Sequence, residues 1–82
     1  MRVKLKLFAS LRPLLAGAKH GELQVDLDPG ATPETLITRF ALPREQVHLI
    51  LVNGFYVAPD AAGERALEDG DEVAMWPPVA GG

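Results

Sequence analysis

One stretch of this chain carries clear helix punctuation, Thr32 to Pro43, and it limits the fold more than any other feature. Thr32 suits an N-cap, Pro33 suits the first helical position, and Glu34 favours the positive end of a helix. Leu36, Ile37 and Phe40 recur at helical spacing, which predicts a face turned toward a sheet. Pro43 stops the helix, and Pro43 to Gln46 can make a short extra turn. A chain with one short helix has to build the rest of its core from strands.

The remaining segments read that way. Val3, Leu5 and Leu7 alternate with Arg2, Lys4 and Lys6, a strand with one buried face. Leu23, Val25 and Leu27 alternate with Glu22, Gln24, Asp26 and Asp28, and Asp28-Pro29-Gly30 ends that strand. Between the two, Ser10 to Gly21 is a connection in which Leu11, Leu14 and Leu15 form a short turn over the core edge. His48 to Val52 is an unbroken apolar run after its first residue, which predicts a central strand covered on both faces or nearly so. Asn53-Gly54 is a two-residue hairpin signal, with Phe55-Tyr56-Val57 as the return strand and Pro59-Asp60 as its end. A loop from Ala61 to Leu67 leads to a turn at Asp69-Gly70 and a last strand, Glu72 to Trp76. Runs of strands with one helix give an α+β layer, the helix across one face of a mixed sheet of about five strands.

The 82 residues make one small domain, taken as residues 1–76, with residues 77–82 as an extended tail. A net charge of −3 and the lack of any Lys/Arg cluster argue against a nucleic-acid binder. The longest apolar run, Leu49 to Val52, is far too short to span a membrane. Met1-Arg2-Val3-Lys4 runs directly into a strand pattern with no signal peptide, and there are no cysteines, so the expected location is the cytoplasm. Without cysteine there is no disulfide, no thiolate metal site and no thiol nucleophile.

No catalytic constellation stands out. His20 and His48 have no partner at ligand spacing, so no metal site is expected. Glu68, Asp69, Asp71 and Glu72 lack the pattern of a calcium loop and read as a solvated acidic turn, or as a docking surface for a basic partner. The glycines match no phosphate-binding fingerprint, and Ser10 lacks an elbow sequence. The chain is therefore not expected to be an enzyme in its own right.

Two large aromatics are more informative. Phe8 falls on the charged, outward face of the first strand, and Trp76 shares a face with Ala74 in the last. If those strands are neighbours, the two rings lie together opposite the helix. Such a pair is either a partner-docking site or a local stack shielding the sheet edge. Beyond Trp76 come Pro77-Pro78-Val79-Ala80-Gly81-Gly82. The prolines favour an extended exit, and six extended residues reach about 20 Å. Gly81 and Gly82 carry no Cβ, so a terminal carboxylate there can enter a narrow channel and be approached from either side.

The chain resembles the MoaD/ThiS family of ubiquitin-like sulfur carriers over essentially its whole length. The resemblance rests on Val3-Lys4-Leu5-Lys6-Leu7-Phe8-Ala9, on Leu51-Val52-Asn53-Gly54, on Leu67-Glu68-Asp69-Gly70-Asp71-Glu72-Val73, and on Trp76-Pro77-Pro78-Val79-Ala80-Gly81-Gly82. That last segment looks like the MoaD branch, the small subunit of molybdopterin synthase. The resemblance implies a β-grasp fold with the first and last strands parallel at the sheet centre. It also implies a carrier that binds no cofactor itself. An ATP-dependent adenylyltransferase related to ubiquitin-activating enzymes adenylates the Gly82 carboxylate, and a sulfur donor converts the acyl-adenylate to a thiocarboxylate. The loaded tail then enters the large subunit of molybdopterin synthase and gives sulfur to a pterin precursor in molybdenum-cofactor biosynthesis. By that likeness Gly81 provides clearance, Phe8 and Trp76 match aromatic positions of the docking face, and catalytic side chains belong to the partners. The alternatives are a ThiS-like carrier for thiazole, tRNA thiolation or cysteine synthesis, a ubiquitin-like modifier joined to target lysines, and an interaction domain with an inert tail.

Overall fold

Alternation in the first strand decides the layering. Val3, Leu5 and Leu7 are buried while Lys4 and Lys6 stay partly in solvent, so the strand has one core face and one open face. The computed structural model describes residues 1–15 and 20–78. Its strands are β1 (Arg2–Leu7), β2 (Glu22–Asp26), β3 (Leu49–Val52), β4 (Phe55–Val57) and β5 (Glu72–Trp76), and its one α-helix is α1 (Pro33–Arg39). They form a single sheet in the order β2-β1-β5-β3-β4. β1 and β5 run parallel, and every other neighbouring pair is antiparallel. This is the mixed sheet expected from the sequence, with the first and last strands side by side at its centre.

Central placement follows from burial. Val73 and Met75 of β5 have no exposed surface or almost none, and they join Val3, Leu5, Ile50, Val52, Leu36 and Ile37 in one apolar cluster. Helix α1 closes that cluster on one face through Pro33, Leu36 and Ile37, with Phe40 packed partly against it. The helix starts as the sequence predicts. Pro33 occupies its first position, and Thr35 Oγ1 accepts the Thr32 backbone N–H at 3.0 Å, one half of a capping box.

The helix ends before Pro43 can act. Leu42 N–H bonds to the Ile37 carbonyl at 2.9 Å and Ala41 N–H to the Thr38 carbonyl at 3.2 Å, the paired bonds of a Schellman motif. Both Ile37 and Leu42 are buried, so the apolar contact that usually accompanies this motif is present. The motif forces Ala41 to a φ of 51°, a left-handed conformation that glycine adopts without strain. Ala41→Gly is therefore expected to stabilise the fold by about 0.5–1 kcal/mol, the relief of strain exceeding the added unfolded-state entropy. Urea denaturation reads the sign.

Two expectations need correction. The apolar run ending at Val52 does not lie in a strand covered on both faces. Ile50 and Val52 are fully buried, whereas Leu49 and Leu51 are only half-buried on the open face, and His48 is exposed just outside the strand. The helix is the only second layer among the described elements, so β3 buries just one of its faces fully. The acidic turn is also not uniformly solvated. Asp71 is buried at 7% exposure, although Glu68 and Asp69 are exposed. Its carboxylate accepts the Glu68 backbone N–H and the Asn53 side-chain N–H, both at 2.8 Å. The first of these bonds is the main reason its carboxyl group sits below the usual range; the Asn53 bond and the nearby Arg65 add to it. Asp69 accepts the Arg2 backbone N–H at 2.7 Å, and Gly70 N–H bonds to the Arg2 carbonyl at 2.8 Å. Two of the four acids are thus turn anchors that tie the entry of β5 to β1 and β3.

The hairpin turn matches its prediction. Asn53 and Gly54 have φ values of 52° and 84°, both positive as a two-residue turn of this kind requires. Ahead of β2, a 3-10 turn over Ala9–Leu14 buries Leu11 and is followed by buried Leu15, while Leu14 is exposed.

Candidate functional site

Parallel pairing of β1 and β5 brings their C-terminal ends to the same edge of the sheet. Leu7 pairs with Met75, so the next residues, Phe8 and Trp76, emerge side by side on the open face. Phe8 N–H also bonds to the Met75 carbonyl at 3.2 Å, which holds the end of the strand in register. The two rings stack with centroids 4.2 Å apart and planes 6° from parallel. The pair is a local stack, one of the two readings derived from the sequence, and its residues remain partly exposed. Stacking fixes both rings in the free protein, so little rotamer freedom is left to lose when a partner covers them.

The register extends this patch across the sheet. Trp76 lies opposite Leu49, and Ala74 lies opposite Leu51, which in turn lies opposite Tyr56. Phe8, Trp76, Leu49, Leu51 and Tyr56 therefore form one apolar area around the buried Ala74, with Tyr56 at 62% exposure as its most open member. The part of the same face formed by β2, β1 and the start of β5 is charged but largely neutralised. Lys6 pairs with Glu72 at 3.2 Å, Lys4 with Glu22 at 3.8 Å and Arg2 with Asp26 at 2.9 Å. An apolar zone beside a charge-balanced zone is suited to docking by surface burial rather than by long-range steering.

The sequence points to Phe8 and Trp76 on the open face but not to Leu49, Leu51 and Tyr56, which share it. The unbroken apolar run concealed which side chains face outward. The Asn53-Gly54 turn held the missing signal, because a two-residue turn sets Val52 opposite Phe55 and Leu51 opposite Tyr56.

The site leads directly to the tail. Pro77 is buried and Pro78 exposed, so the chain leaves the body between them, next to Trp76. Val79, Ala80, Gly81 and Gly82, which the sequence marks as the reactive end, lie outside the described residues. Among the described residues no group of three or more His, Cys, Asp or Glu side chains could hold a metal ion. Also among them, no helix is long and apolar enough to cross a membrane. A shallow depression of about 350 Å³ lies at the β4 edge, lined by Tyr56, Val57, Ala58, Ala61, Glu64 and Arg65. Its only titratable residues besides Tyr56 are the neighbouring Glu64 and Arg65, which makes it a poor reaction chamber.

Comparison with known proteins agrees with this geometry. The sequence profile described as the ThiS family matches residues 5–82. SAMP1 from Haloferax volcanii shares 31% identity, with all of both chains covered and a TM-score of 0.71. A putative molybdopterin converting factor, subunit 1, from Pyrococcus furiosus shares 35% identity over 95% of this chain and 98% of that one, with a TM-score of 0.69. Subunit 1 of the Helicobacter pylori molybdopterin-converting factor, solved in complex with subunit 2, is 20% identical at a TM-score of 0.64 over the whole of both chains, a likeness of fold alone. No curated protein matches the sequence. The profile match over nearly the whole chain, on a ubiquitin-like β-grasp sheet, makes this chain a member of the ThiS family, small proteins with the fold of sulfur carriers and ubiquitin-like modifiers.

Proposed function

We propose that this chain is a sulfur carrier whose Gly82 carboxylate is adenylated, converted to a thiocarboxylate, and used to deliver sulfur to a pterin precursor as the small subunit of molybdopterin synthase. The observation that carries the proposal is the apolar face ending in the Phe8–Trp76 stack at the root of a Pro-Pro-Val-Ala-Gly-Gly tail. A carrier needs two things from its fold, a surface by which partners hold it and a slim end that reaches their active sites. The face supplies the first, and residues 77–82 supply the second.

The chemistry asks nothing of the body's side chains. A carboxylate resists nucleophiles until one oxygen becomes part of a good leaving group. In the activating partner, a Gly82 carboxylate oxygen attacks the α-phosphorus of ATP, and pyrophosphate leaves. A sulfur nucleophile from a donor then forms a bond to the Gly82 carbonyl carbon as AMP departs. ATP is bound by that partner, and this chain carries no cofactor. Because the sulfur rides on the main chain, the absence of cysteine is no obstacle.

The likeness to the putative molybdopterin converting factor, subunit 1, from Pyrococcus furiosus supports the molybdopterin assignment. The full-length likeness to SAMP1 supports a second reading, in which the activated Gly82 carbonyl is captured by a lysine amine to form an isopeptide bond. Both readings use the same activation step and diverge in the acceptor.

Trp76→Ala tests the docking half of the proposal. Titration of the variant into the large synthase subunit by calorimetry is expected to show at least about 30-fold weaker binding, the loss of a central aromatic anchor worth about 2 kcal/mol or more. Its thermal transition should change much less than its affinity. Unchanged affinity would remove the docking claim. Ladders of higher mass in lysates probed for the chain, lost when Gly82 is deleted, would favour the modifier reading.

A further inference from the structure

The Asn53-Gly54 turn has a chemical liability that its surroundings hold in check. A glycine after asparagine leaves the following backbone nitrogen unhindered, and Gly54 stands in open space with nothing within 4 Å of where a Cβ would lie. Such a nitrogen can attack the asparagine side-chain carbonyl carbon, Cγ. The bond from Gly54 N to Cγ forms, the Cγ–Nδ2 bond breaks, and ammonia leaves to give a cyclic imide. Water then opens the ring to aspartate or isoaspartate, so the net change is amide plus water to acid plus ammonia.

In the folded chain that amide is pinned elsewhere. Asn53 Nδ2 donates to Asp71 Oδ1 at 2.8 Å, and Asn53 Oδ1 accepts the Glu72 backbone N–H at 2.9 Å. Asn53 N–H adds a third bond, to the Glu72 carbonyl at 2.8 Å. The side-chain bonds turn the amide toward β5, and both must break before Cγ can swing onto Gly54 N. Asp71 is in turn fixed by the Glu68 backbone N–H at 2.8 Å and is buried.

We propose that Asn53 is a deamidation site guarded by the Asp71 clasp, and that its conversion to an acid releases the β3–β4 hairpin from the entry of β5. The product places a carboxylate where the Asp71 partner donor had been. One hydrogen bond becomes a contact between two like charges, in a position with little solvent around Asp71. The hairpin so loosened carries Leu49, Leu51 and Tyr56, three members of the apolar face.

The test incubates the full chain in mildly alkaline buffer, folded and in urea, and follows the acid forms at position 53 by peptide mapping. Conversion is expected to be about tenfold or more slower in the folded chain than in urea, since two hydrogen bonds must open first. Asp71→Ala, held where circular dichroism shows native structure, should convert at least about threefold faster than folded wild type, since one of the two bonds is gone. Equal rates folded and in urea would overturn the guard, as would a folded Asp71→Ala chain that converts as slowly as wild type. Asn53→Asp gives an independent readout should Asp71→Ala fail to fold. Its melting temperature should fall below wild type at neutral pH, and the gap should narrow as acid protonates the facing carboxylates. A gap that is absent at neutral pH, or that widens on acidification, would overturn the claim that the acid form releases the hairpin.

Discussion

Deleting Gly82 is expected to abolish sulfur loading while leaving the melting transition unchanged. The two halves of this result have separate causes. The buried apolar cluster runs from Val3 to Met75, and the pairing of β5 with its neighbours ends at Trp76. Among the described residues, stability is thus assigned to the sheet and helix, which precede the tail in the sequence. Loading, by contrast, depends on where the terminal carboxylate sits in the activating partner. Removing one residue from a tail drawn out in that partner's channel withdraws it by about 3.3–3.6 Å. Misplacement of a reacting atom by even 1 Å can cost about 100-fold, so the shortened tail should fall by at least that factor. Calorimetric melting together with a mass measurement after incubation with the activating enzyme, ATP and a sulfur donor reads both halves. A lower melting temperature would put the tail in the fold, and retained loading would remove Gly82 from the chemistry.

Adjacent residues of β3 should behave very differently. Ile50→Ala is expected to cost about 2–5 kcal/mol, because Ile50 is fully buried and its loss leaves a cavity under α1. Leu51→Ala, one residue along and half-buried on the open face, should cost only about 1 kcal/mol. The same Leu51 substitution should weaken partner binding, since Leu51 belongs to the apolar face between Ala74 and Tyr56. Chemical denaturation of both variants, with calorimetric binding of the second, separates core from surface. Equal destabilisation would mean that the open face is covered within the chain itself.

This pair also marks the limit of what the sequence reveals. Strands with strict alternation, β1 and β2, can be read with their faces, because charged residues mark the solvent side. So can the helix start, where Thr32 and Pro33 act locally. The parallel contact of Phe8 with Trp76 could be stated only as a condition, since it depends on which strands become neighbours. β3 is apolar throughout, so its pattern alone cannot say which residues face α1 and which face a partner. Asp71 was obscured for a similar reason. Four acids in five residues look like a solvated turn, yet the buried one accepts a hydrogen bond from Asn53, eighteen residues away, which the local pattern does not reveal. In the sequence Pro43 marks the helix end, yet the buried pair Ile37 and Leu42 closes it earlier through a motif that needs no glycine when burial offsets the strain at Ala41.

Sulfur at Gly82 is the centre of the proposed function, and intact-mass analysis of the protein isolated from its own cells tests it most directly. Alkylation at lysis traps a thiocarboxylate before water can hydrolyse it. The expected result is an alkylated species carrying one sulfur in place of an oxygen, mapped by fragmentation to Gly82. Recovery of Gly82 only as a free carboxylate after trapping, or only in isopeptide linkage to lysines of other proteins, would contradict the carrier function.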